Sequence, residues 1–468
     1  MNLFNTLTRQ VETIEPLNAP TVTVYTCGPT VYDYSHIGHW FTYVRMDMLI
    51  RALKADKLTP KWVMNITDVG HLVSDADEGE DKLEKGAKRE GKTAWEVAEF
   101  YTEDFLIGMH HLNIQTPDYI VKATDHIKEQ IDLIQKLEEK GFTYVIDDGV
   151  YYDTSKFPGY GSFARLDLDD LQAGARVQFN PQKKSITDFA LWKFSPKDQK
   201  RDMEWNSPWG KGFPGWHIEC SAMSMHVLGP TLDIHTGGID HIPTHHTNEI
   251  AQSEAATGKR FANTWMHSNH VLIGGEKISK SLGNGIRLQD IAEKEIPFDA
   301  IRLHILESHY RNQSKFSLDN LIAAKNRLAD LYAISSLRFQ ATDKSDATKL
   351  PYFKEVPEKL ASFITNDLDT PGALAYLSSI TSALLQNNIS SNEVDDFSSM
   401  IAAIDQLTGL RLMEINDITD EQKSKIARRQ SARAEQKWDE SDQIRDELLK
   451  QGIGLKDYSE NVIWFPAL

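Results

Sequence analysis

The chain contains 468 residues with a net charge of −17 and two cysteines, Cys27 and Cys220. So few cysteines argue against a secreted disulfide scaffold, and no run reaches the roughly 18 apolar residues of a membrane helix. No basic segment followed by an apolar run opens the chain, so we expect a cytoplasmic protein without a signal peptide or membrane contact. The length exceeds the roughly 300 residues at which single cores stop growing, which predicts several domains.

The negative net charge, taken alone, disfavours nucleic acid as a partner. The stretch from Lys423 to Lys437 differs from the rest, because basic residues outnumber acidic ones there. Since the distribution of charge matters more than its sum, this basic stretch leaves nucleic acid as a candidate partner.

The first predicted unit is a strand, a tight loop and a helix. Alternating β-branched residues predict a strand at Thr21–Tyr25, and apolar residues at helical spacing predict a helix over Phe41–Leu49. His36, Gly38 and His39 lie in the loop, just before that helix. A helix N-terminus suits a phosphate, and glycine lets a flat ring approach the backbone. The two histidines are either phosphate donors or ordinary surface residues.

The remaining elements follow from the same patterns. We predict a strand at Lys61–Ile66, helices at Lys92–His111 and Asp125–Lys140, a hairpin of Tyr144–Ile146 with Val150–Tyr152, a helix opening at Pro214–Cys220, a strand at Leu232–His235, a helix from Pro243 and a strand region at Asn263–Ile273. Helical spacing then predicts a bundle over 321–410, one helix at Gln430–Gln451 and a hairpin at Ile453–Trp464.

Four residues suggest a metal site. A helix that begins at Pro243 would place His245 and Glu249 on one face, one turn apart. Cys27 ends the first strand, and the sheet would bring it alongside Cys220. Two thiolates, an imidazole and a carboxylate form a plausible set of ligands for Zn²⁺.

Each of these four residues also has an ordinary structural explanation. A lone buried cysteine is usually a small apolar residue, and a histidine with a glutamate four positions later is a common helix-face pair. His235, His241 or His246 could take the place of the proposed imidazole ligand. His241 precedes the predicted helix, and His246 points about 100° away from its neighbour on an ideal helix.

Two motifs resemble the signatures of a known family. His36-Ile37-Gly38-His39, after a first strand, resembles the ATP-binding signature of the class I aminoacyl-tRNA synthetases. Lys277-Ile278-Ser279-Lys280-Ser281 resembles the Lys-Met-Ser-Lys-Ser loop of the same class, with one conservative change. The flanking stretch Cys27–Asp33 is similar to the cysteinyl-tRNA synthetases within that class, and the resemblance extends from Asn5 to Trp464.

The resemblance implies a role for each motif. It assigns catalysis to His36, His39, Lys277 and Lys280, and ATP binding to these four together with Gly38, Gly238 and Ser279. It assigns binding of the amino acid to Gly28, Thr67, Trp216 and Asp240, with the last facing the ammonium group. It assigns zinc to Cys27, Cys220, His245 and Glu249, and reading of the anticodon to Arg433, Trp438, Asp442, Arg445 and Asp457.

The resemblance also implies an α/β fold class. We expect a Rossmann-like class I catalytic domain split by an insertion, followed by an α-helical bundle and a small C-terminal α/β domain. The expected segments are 1–114 and 205–260 for the two catalytic halves, 115–204 for the inserted connective domain, 261–320 for the second signature and stem-contact region, 321–410 for the bundle and 411–468 for the anticodon-binding domain.

The implied reaction has two steps. L-Cysteine attacks ATP to give cysteinyl-adenylate, and the cysteinyl group then passes to tRNA(Cys). One Zn²⁺ per chain would select the substrate thiolate. Zinc is needed because cysteine and serine differ little in shape, and a pocket that measures size alone discriminates such a pair by only about 1–3 kcal/mol. Mg²⁺ would accompany ATP, and the enzyme would act as a monomer.

Some positions depart from the family pattern. Trp40 and Phe41 stand where a small residue and an arginine are usual, Thr236 replaces the first of three glycines, and the segment Ile242–Glu249 has an extra residue before the histidine pair. These departures leave the proposed ligands and lysines intact. Two rival functions remain: a relative that joins cysteine to an amino sugar without tRNA, and a non-catalytic tRNA- or zinc-binding paralogue. The basic C-terminal end argues against the first rival, and the intact signatures argue against the second.

Overall fold

The computed structural model describes residues 1–70, 81–166, 180–196, 201–277, 285–343, 350–458 and 462–468, with the backbone alone at positions 82, 276 and 277. Its strands are β1 Asn2–Asn5, β2 Gln10–Thr13, β3 Thr21–Thr26, β4 Thr59–Ile66, β5 Tyr119–Lys122, β6 Thr143–Ile146, β7 Gly149–Tyr152, β8 Phe189–Phe194, β9 Trp205–Ser207, β10 Gly210–Pro214, β11 Leu232–Gly238, β12 Ala262–Ser268, β13 Val271–Ile273, β14 Glu276–Lys277, β15 Ser314–Phe316, β16 Ile453–Asp457 and β17 Val462–Pro466.

The α-helices of the described ranges follow in the same chain order. They are α1 Ile37–Ala55, α2 Lys82–Glu90, α3 Ala94–His111, α4 Ile127–Glu139, α5 Trp216–Leu228, α6 Thr247–Thr257, α7 Leu288–Ala292, α8 Phe298–Leu306, α9 Leu318–Ser336, α10 Val356–Ile364, α11 Thr370–Gln386, α12 Val394–Thr408, α13 Asp420–Ala434 and α14 Trp438–Lys450. Each of these helices is too short or too polar to span a bilayer.

Five parallel strands form the central sheet, in the order β12-β11-β3-β4-β5. Tyr25 on β3 lies opposite Val63 on β4 and His235 on β11, and side chains on both faces of the three strands are buried. Because parallel strands end at the same edge of a sheet, Cys27 and Thr67 come together at this edge with the end of β11. The predicted strands and the α/β fold class are confirmed.

A second sheet is antiparallel and lies between β5 and β11 in the chain, in the order β6-β7-β8-β10-β9. The predicted hairpin is confirmed, since Ile146 pairs with Gly149 across the turn. Strands β9 and β10 belong to this sheet although they follow position 204, where the sequence predicts that the insertion ends. Gly215 then precedes helix α5, so the sheet leads directly into the helix that carries Cys220.

Helix α1 begins at the His36–His39 motif and runs through the main core, where it packs against α8 and α12. The buried carboxylate of Asp47 accepts a hydrogen bond from Arg51 Nε at 2.7 Å and forms an ion pair with Arg302. Arg302 also donates to the backbone oxygen of Thr408, at 2.6 Å, in the helical bundle. This buried network fixes the helix of the first signature to the bundle.

The C-terminal segment contains two helices where the sequence predicts one at Gln430–Gln451, so that prediction is wrong. Helix α13 ends at Ala434, and α14 begins at Trp438. Between them Gln436 has a φ of 59°, and the Lys437 N–H donates to the Ala432 oxygen at 2.8 Å. No glycine or proline marks this break in the sequence. The predicted hairpin that follows is confirmed as β16 and β17, which pair antiparallel.

Candidate active site

A cavity of about 300 Å³ lies at the carboxyl edge of the parallel sheet. Nine residues that the sequence predicts for the site line it: Cys27, Gly28, His39, Thr67, Trp216, Cys220, Gly238, Asp240 and His245. These residues come from segments up to 218 positions apart in the chain, since the list begins at Cys27 and ends at His245. The parallel sheet therefore assembles the residues proposed to bind the amino acid, metal and nucleotide around one space.

The four predicted metal ligands form one cluster at the base of this cavity. The donor atoms of Cys27, Cys220, His245 and Glu249 all lie within 4.8 Å of one another, and all four side chains are buried. The two sulfur atoms are 4.0 Å apart, and the distance from His245 Nε2 to Glu249 Oε1 is 3.0 Å. The cluster forms because Cys27 directly follows β3, Cys220 lies on α5, and the other two residues lie one turn apart.

The helical turn that carries the imidazole ligand differs from an ideal α-helix. Residues Ile242–His246 form a π-helical turn that continues into α6, so the helix predicted from Pro243 is confirmed. Both His245 and His246 are buried, and His246 Nε2 is 3.4 Å from Cys27 Sγ. The His246 side chain therefore reaches the cluster beside His245, although an ideal helix predicts an angle of about 100° between the two neighbours.

A second set of donors shares two residues with the first. Cys27, His235, His246 and Glu249 also place one donor atom each within 4.8 Å of the others. His235 Nε2 lies 2.9 Å from Glu249 Oε2, whereas His245 lies against the other carboxylate oxygen. His235 and His246 do not line the cavity, so they surround the cluster on its buried side.

Two further histidines hold the imidazoles and were missed by the sequence analysis. His217 Nδ1 is 3.0 Å from His245 Nδ1, which leaves Nε2 of His245 facing the cluster. His267 connects His246 Nδ1, at 2.7 Å, to the Thr6 hydroxyl, also at 2.7 Å. His217 stands in the segment that opens α5, but no spacing rule in the sequence indicated its contact with a residue 28 positions later.

Electrostatic interactions shift the pKa values of the four cluster residues in different directions. Burial raises the pKa of Cys27 well above its ordinary value, while the hydrogen bond from Cys27 lowers the pKa of Cys220. Burial alone would raise the pKa of Glu249, but His235 and His245 outweigh it and lower that pKa. Burial alone would lower the pKa of His245, but Glu249 and Cys220 together outweigh it and raise the pKa to about 10. The cluster thus places a carboxylate and a thiol of lowered pKa beside each other.

Three further lining residues, Trp216, Gly28 and Thr67, form the part of the cavity wall next to the cluster. The Trp216 ring packs on the His245 ring, with centroids 4.4 Å apart. The Gly28 N–H donates to Asn65 Oδ1 at 2.8 Å, and a Cβ at this glycine would lie 1.6 Å from the Asn65 backbone oxygen. Asn65 Nδ2 in turn donates to Thr67 Oγ1 at 3.1 Å. Asn65 therefore holds two predicted substrate-binding residues in place, and the strand-end argument could have identified it.

The first signature forms the start of helix α1. The rings of His36 and His39 stack with centroids 3.7 Å apart, and the His36 N–H donates to His39 Nδ1 at 3.2 Å. His39 lines the cavity, whereas His36 lies behind it and, like Gly38, is not among the lining residues. The Ile37 N–H donates to the Ile286 oxygen at 2.7 Å, so the chain returns to this helix shortly after the second signature.

The second signature lies mostly outside the described residues. Lys277 ends β14, where its backbone pairs with Leu272, and its side chain is not described. Ser279 and Lys280 fall at positions outside the described ranges. Their predicted roles in ATP binding and catalysis stay predictions.

The predicted anticodon-reading residues lie on the C-terminal helices and hairpin. The Trp438 side chain is 54% exposed, and the Arg433 guanidinium lies 5.6 Å from its ring centroid. Asp457 pairs with Arg433 at 3.5 Å, and Arg445 pairs with Asp442 at 3.1 Å. The five residues thus form an aromatic and charged surface, and their role in reading the anticodon stays a prediction.

Comparison with known proteins agrees with this geometry. Residues 13–326 match the family described as the tRNA synthetases class I (C) catalytic domain. The chain is 44% identical over 466 residues to "Cysteine--tRNA ligase 1" of Burkholderia lata, an alignment that covers 98% of this chain and 95% of that protein. It belongs to the cysteine–tRNA ligase family. "Cysteine--tRNA ligase" of Treponema denticola is 39% identical, with 99% of each chain covered.

A solved class I structure supports the fold of this cysteine–tRNA ligase family member. Methionyl-tRNA synthetase of Mycobacterium tuberculosis, solved with methionyl-adenylate, aligns with a TM-score of 0.59 at 14% sequence identity. The alignment covers 84% of this chain and 92% of that one. The Rossmann-like class I fold, with a helical region and small strands after it, is therefore confirmed.

Proposed function

We propose that this member of the family activates L-cysteine with ATP and transfers the cysteinyl group to tRNA(Cys), with one zinc ion selecting the substrate thiolate. The observation that carries the proposal is the cluster of Cys27, Cys220, His245 and Glu249 at the base of the cavity. His39, from the first signature, lies on another wall of the same cavity. A thiol-selecting site and a nucleotide site would thus share one space.

The cluster fits a zinc ion by its chemistry and spacing. Two sulfurs at Zn–S distances of about 2.3 Å in a tetrahedral site would be roughly 3.8 Å apart. The observed distance between Cys27 Sγ and Cys220 Sγ is 4.0 Å. The contact between His217 and His245 at 3.0 Å is also the kind of outer hydrogen bond that orients a ligating imidazole. These features support zinc over Mg²⁺, which prefers oxygen ligands.

Zinc, when bound, would supply a thiophilic centre that favours a thiolate over a hydroxyl group. The residues of the chain would do the rest of the selection. Cys27, Cys220 and His245 line the cavity, whereas Glu249 lies behind them, so an incoming thiol approaches from the side of the sulfurs. Size alone would separate cysteine from serine by only about 1–3 kcal/mol.

The remaining cavity walls would hold the backbone groups of the amino acid. We assign the ammonium group to the Asp240 carboxylate, since both it and Trp216 line the cavity. Thr67 directly follows strand β4 at the same edge of the sheet, and it would bind the amino acid together with Gly28. A bound cysteine would then span the distance from the metal cluster to the start of helix α1.

Activation would depend on positioning and charge stabilisation. The cysteine carboxylate is already ionised at neutral pH, so its attack on the α-phosphate of ATP requires no general base. His39 and the positive end of the α1 helix dipole would stabilise the phosphate charge, with Mg²⁺ bound to ATP. His36 would position His39 through the stacked pair, and Lys277 and Lys280 would add positive charge, as the resemblance implies.

Transfer would use the C-terminal surface for recognition. We propose that Trp438 stacks on an anticodon base while Arg433, Asp442, Arg445 and Asp457 contact base edges. Exposed aromatics and charged forks recognise splayed bases of single-stranded RNA in this way. The segments given above, from the split catalytic domain to the anticodon-binding domain, and the monomeric state remain part of this proposal.

Three measurements test the proposed function. Cysteine-dependent exchange of pyrophosphate into ATP should occur with cysteine and not with serine, and elemental analysis should give one zinc per chain. Cysteinylation of tRNA should follow, which would distinguish this reaction from the joining of cysteine to an amino sugar. A protein that exchanges no pyrophosphate would be a binding paralogue, and the proposal would be wrong.

A further inference from the structure

Arg45 is a buried cation whose described partners are all neutral. It lies on helix α1 and is 3% exposed. Nη1 donates to Ser268 Oγ at 2.8 Å and to the Asn269 oxygen at 3.1 Å, and Nη2 donates to Ser308 Oγ at 3.1 Å and to Ser314 Oγ at 2.5 Å. Among the described residues, no carboxylate forms an ion pair with it. The buried Nε has no hydrogen-bond partner among the described residues, so the four contacts of Nη1 and Nη2 alone offset the cost of burying this charge without a counter-ion.

The partners of Arg45 lie where three segments of the chain meet. Ser268 ends strand β12, Ser308 follows helix α8, and Ser314 begins strand β15. Ser314 and Ser308 also contact each other through their hydroxyl groups at 2.7 Å. The planar guanidinium reaches all of them because its N–H groups point in fixed, divergent directions, which an ammonium group does not reproduce.

These contacts lie at the base of the hairpin formed by β13 and β14. Ser314 lies opposite Val271 in the parallel pair of β15 and β13, and its N–H donates to the His270 oxygen at 3.0 Å. Strand β14 then pairs with β13 and ends at Lys277, the first residue of the second signature. The position of this hairpin relative to α1 is therefore fixed on the side held by Arg45.

The same helix carries the first signature at its N-terminus. Arg45 lies two turns after His39 and one turn after Phe41, and its guanidinium lies 5.3 Å from the Phe41 ring centroid. Phe41 stands where the family pattern usually has arginine, so this chain places its guanidinium one turn further along. Burial lowers the pKa of Arg45 to about 9, so the group stays protonated at neutral pH.

We infer that Arg45 is a positioning residue for ATP: it holds the hairpin Val271–Lys277 in a fixed place relative to helix α1, which carries the first signature. The inference rests on the proposed function. It concerns the nucleotide rather than cysteine, because the hairpin leads to the second signature, whereas none of the four cluster residues lies on the segments that Arg45 contacts.

The test compares Arg45→Lys and Arg45→Met with the wild type. In cysteine-dependent pyrophosphate exchange we expect KM for ATP to rise about tenfold in both variants, with KM for cysteine within about twofold of the wild-type value. Lysine keeps the positive charge but lacks the planar guanidinium with its divergent N–H donors, so the lysine variant separates the effect of geometry from that of charge. Hydrogen exchange of the Val271–Ile273 amides should be about tenfold faster in both variants.

Arg338→Met is the matched control. Arg338 also donates only to neutral acceptors among the described residues, namely backbone oxygens such as that of Ser335 at 2.9 Å and the sulfur of Met413 at 3.0 Å, but it lies in the helical bundle. This variant should lose stability without a change in KM for ATP or in exchange of the hairpin amides. All assays use a temperature at which each variant is folded by circular dichroism.

Three results would overturn the inference. One is an unchanged KM for ATP in Arg45→Met, another is a wild-type KM in Arg45→Lys, and the third is an equal rise in Arg338→Met. A wild type that exchanges no pyrophosphate would instead refute the proposed function, while unchanged hydrogen exchange of the hairpin in Arg45→Met would refute the role of Arg45 independently of activity.

Discussion

The ring of Trp40 occupies the space left open by Gly108. A Cβ at Gly108 would lie 2.4 Å from two carbons of that ring, and Trp40 is 1% exposed. Trp40 also stacks on Phe105, with ring centroids 5.4 Å apart and an interplanar angle of 11°. The family pattern has a small residue after the second histidine of the signature, so a glycine on helix α3 accommodates the larger ring here. The ring packs into the core, away from the cavity at the metal cluster.

Gly108→Ala should therefore destabilise the protein. Alanine is a better helix former by about 1 kcal/mol, but overpacking against Trp40 costs about 1–3 kcal/mol, so we expect a net loss. The midpoint of thermal unfolding measures the change, and Gly108→Ala should cost less in a Trp40→Leu background than in the wild type.

Gly86→Ala provides the matched control for that experiment. Gly86 also lies inside a helix, but a Cβ there would lie 3.5 Å from its nearest neighbours, an ordinary contact. This substitution should leave the midpoint unchanged or raise it. Equal decreases of the unfolding midpoint in the two variants would show that contact with Trp40 is not the reason why position 108 requires glycine.

Cys220→Ser should abolish zinc binding and cysteine activation together. The substitution removes one of two sulfurs that are 4.0 Å apart in the cluster. Loss of a residue that merely orients a ligand weakens metal binding by about 10- to 100-fold, and loss of a ligand should exceed that. Elemental analysis and pyrophosphate exchange measure the two effects.

The control for this substitution is His226→Gln on the same helix. The His226 side chain is 53% exposed and lies at the end of α5, away from the cluster. It should retain one zinc per chain and full exchange activity. If Cys220→Ser also retained both, Cys220 would not belong to the site.

Trp438→Ala should weaken recognition of tRNA without affecting cysteine activation. The Trp438 side chain is 54% exposed beside Arg433, and stacking of a base on an aromatic ring contributes about 1–3 kcal/mol. We expect KM for tRNA in the cysteinylation assay to rise about tenfold while pyrophosphate exchange stays at the wild-type rate. Leu449→Ala, at an exposed position of the same helix, should change neither quantity. A fall in exchange activity would show a folding defect instead.

Asp68 should make the stability of the protein depend on pH. Burial raises the pKa of Asp68 to about 6, although the Thr124 N–H and hydroxyl donate to its carboxylate at 2.9 and 2.6 Å. An unfolded aspartate has a pKa of about 3.9, so between pH 4 and 6 the folded state binds more protons than the unfolded state. Stability should therefore fall as pH rises through this window, by about 2–3 kcal/mol from this residue.

Asp68→Asn should remove that part of the pH dependence. The amide oxygen can still accept a hydrogen bond from Thr124, but the side chain no longer ionises. The difference in unfolding midpoint between the variant and the wild type should grow in favour of the variant from pH 4 to pH 7. A constant difference over this range would contradict a raised pKa at Asp68.

The sequence predicts the framework of the site because that framework depends on local patterns. Alternation of β-branched residues located strand Thr21–Thr26, and one-turn spacing located the pair of His245 and Glu249. The meeting of these parts followed from the rule that ligands lie at the carboxyl ends of parallel strands. Nine predicted site residues do line one cavity, as a result.

The parts that escaped prediction depend on contacts between distant residues. No local motif marks His217, His267 or Arg45 in the sequence. His217 contacts a residue 28 positions away, His267 contacts one 261 positions away, and Arg45 contacts residues up to 269 positions away. The break between α13 and α14 escaped for another reason, since Gln436 takes a left-handed conformation without the glycine that usually marks one.

The pairing of β3 with β11 has a consequence during synthesis on the ribosome. Strand Thr21–Thr26 emerges early, but its second neighbour, Leu232–Gly238, is translated about two hundred residues later, after the whole antiparallel insertion. One side of the early strand therefore has no partner while the nascent chain grows, and an unpaired apolar edge invites association between chains. Slow elongation through the insertion would prolong that exposure, so the yield of this protein should depend on chaperones that shield the edge until the later strand arrives.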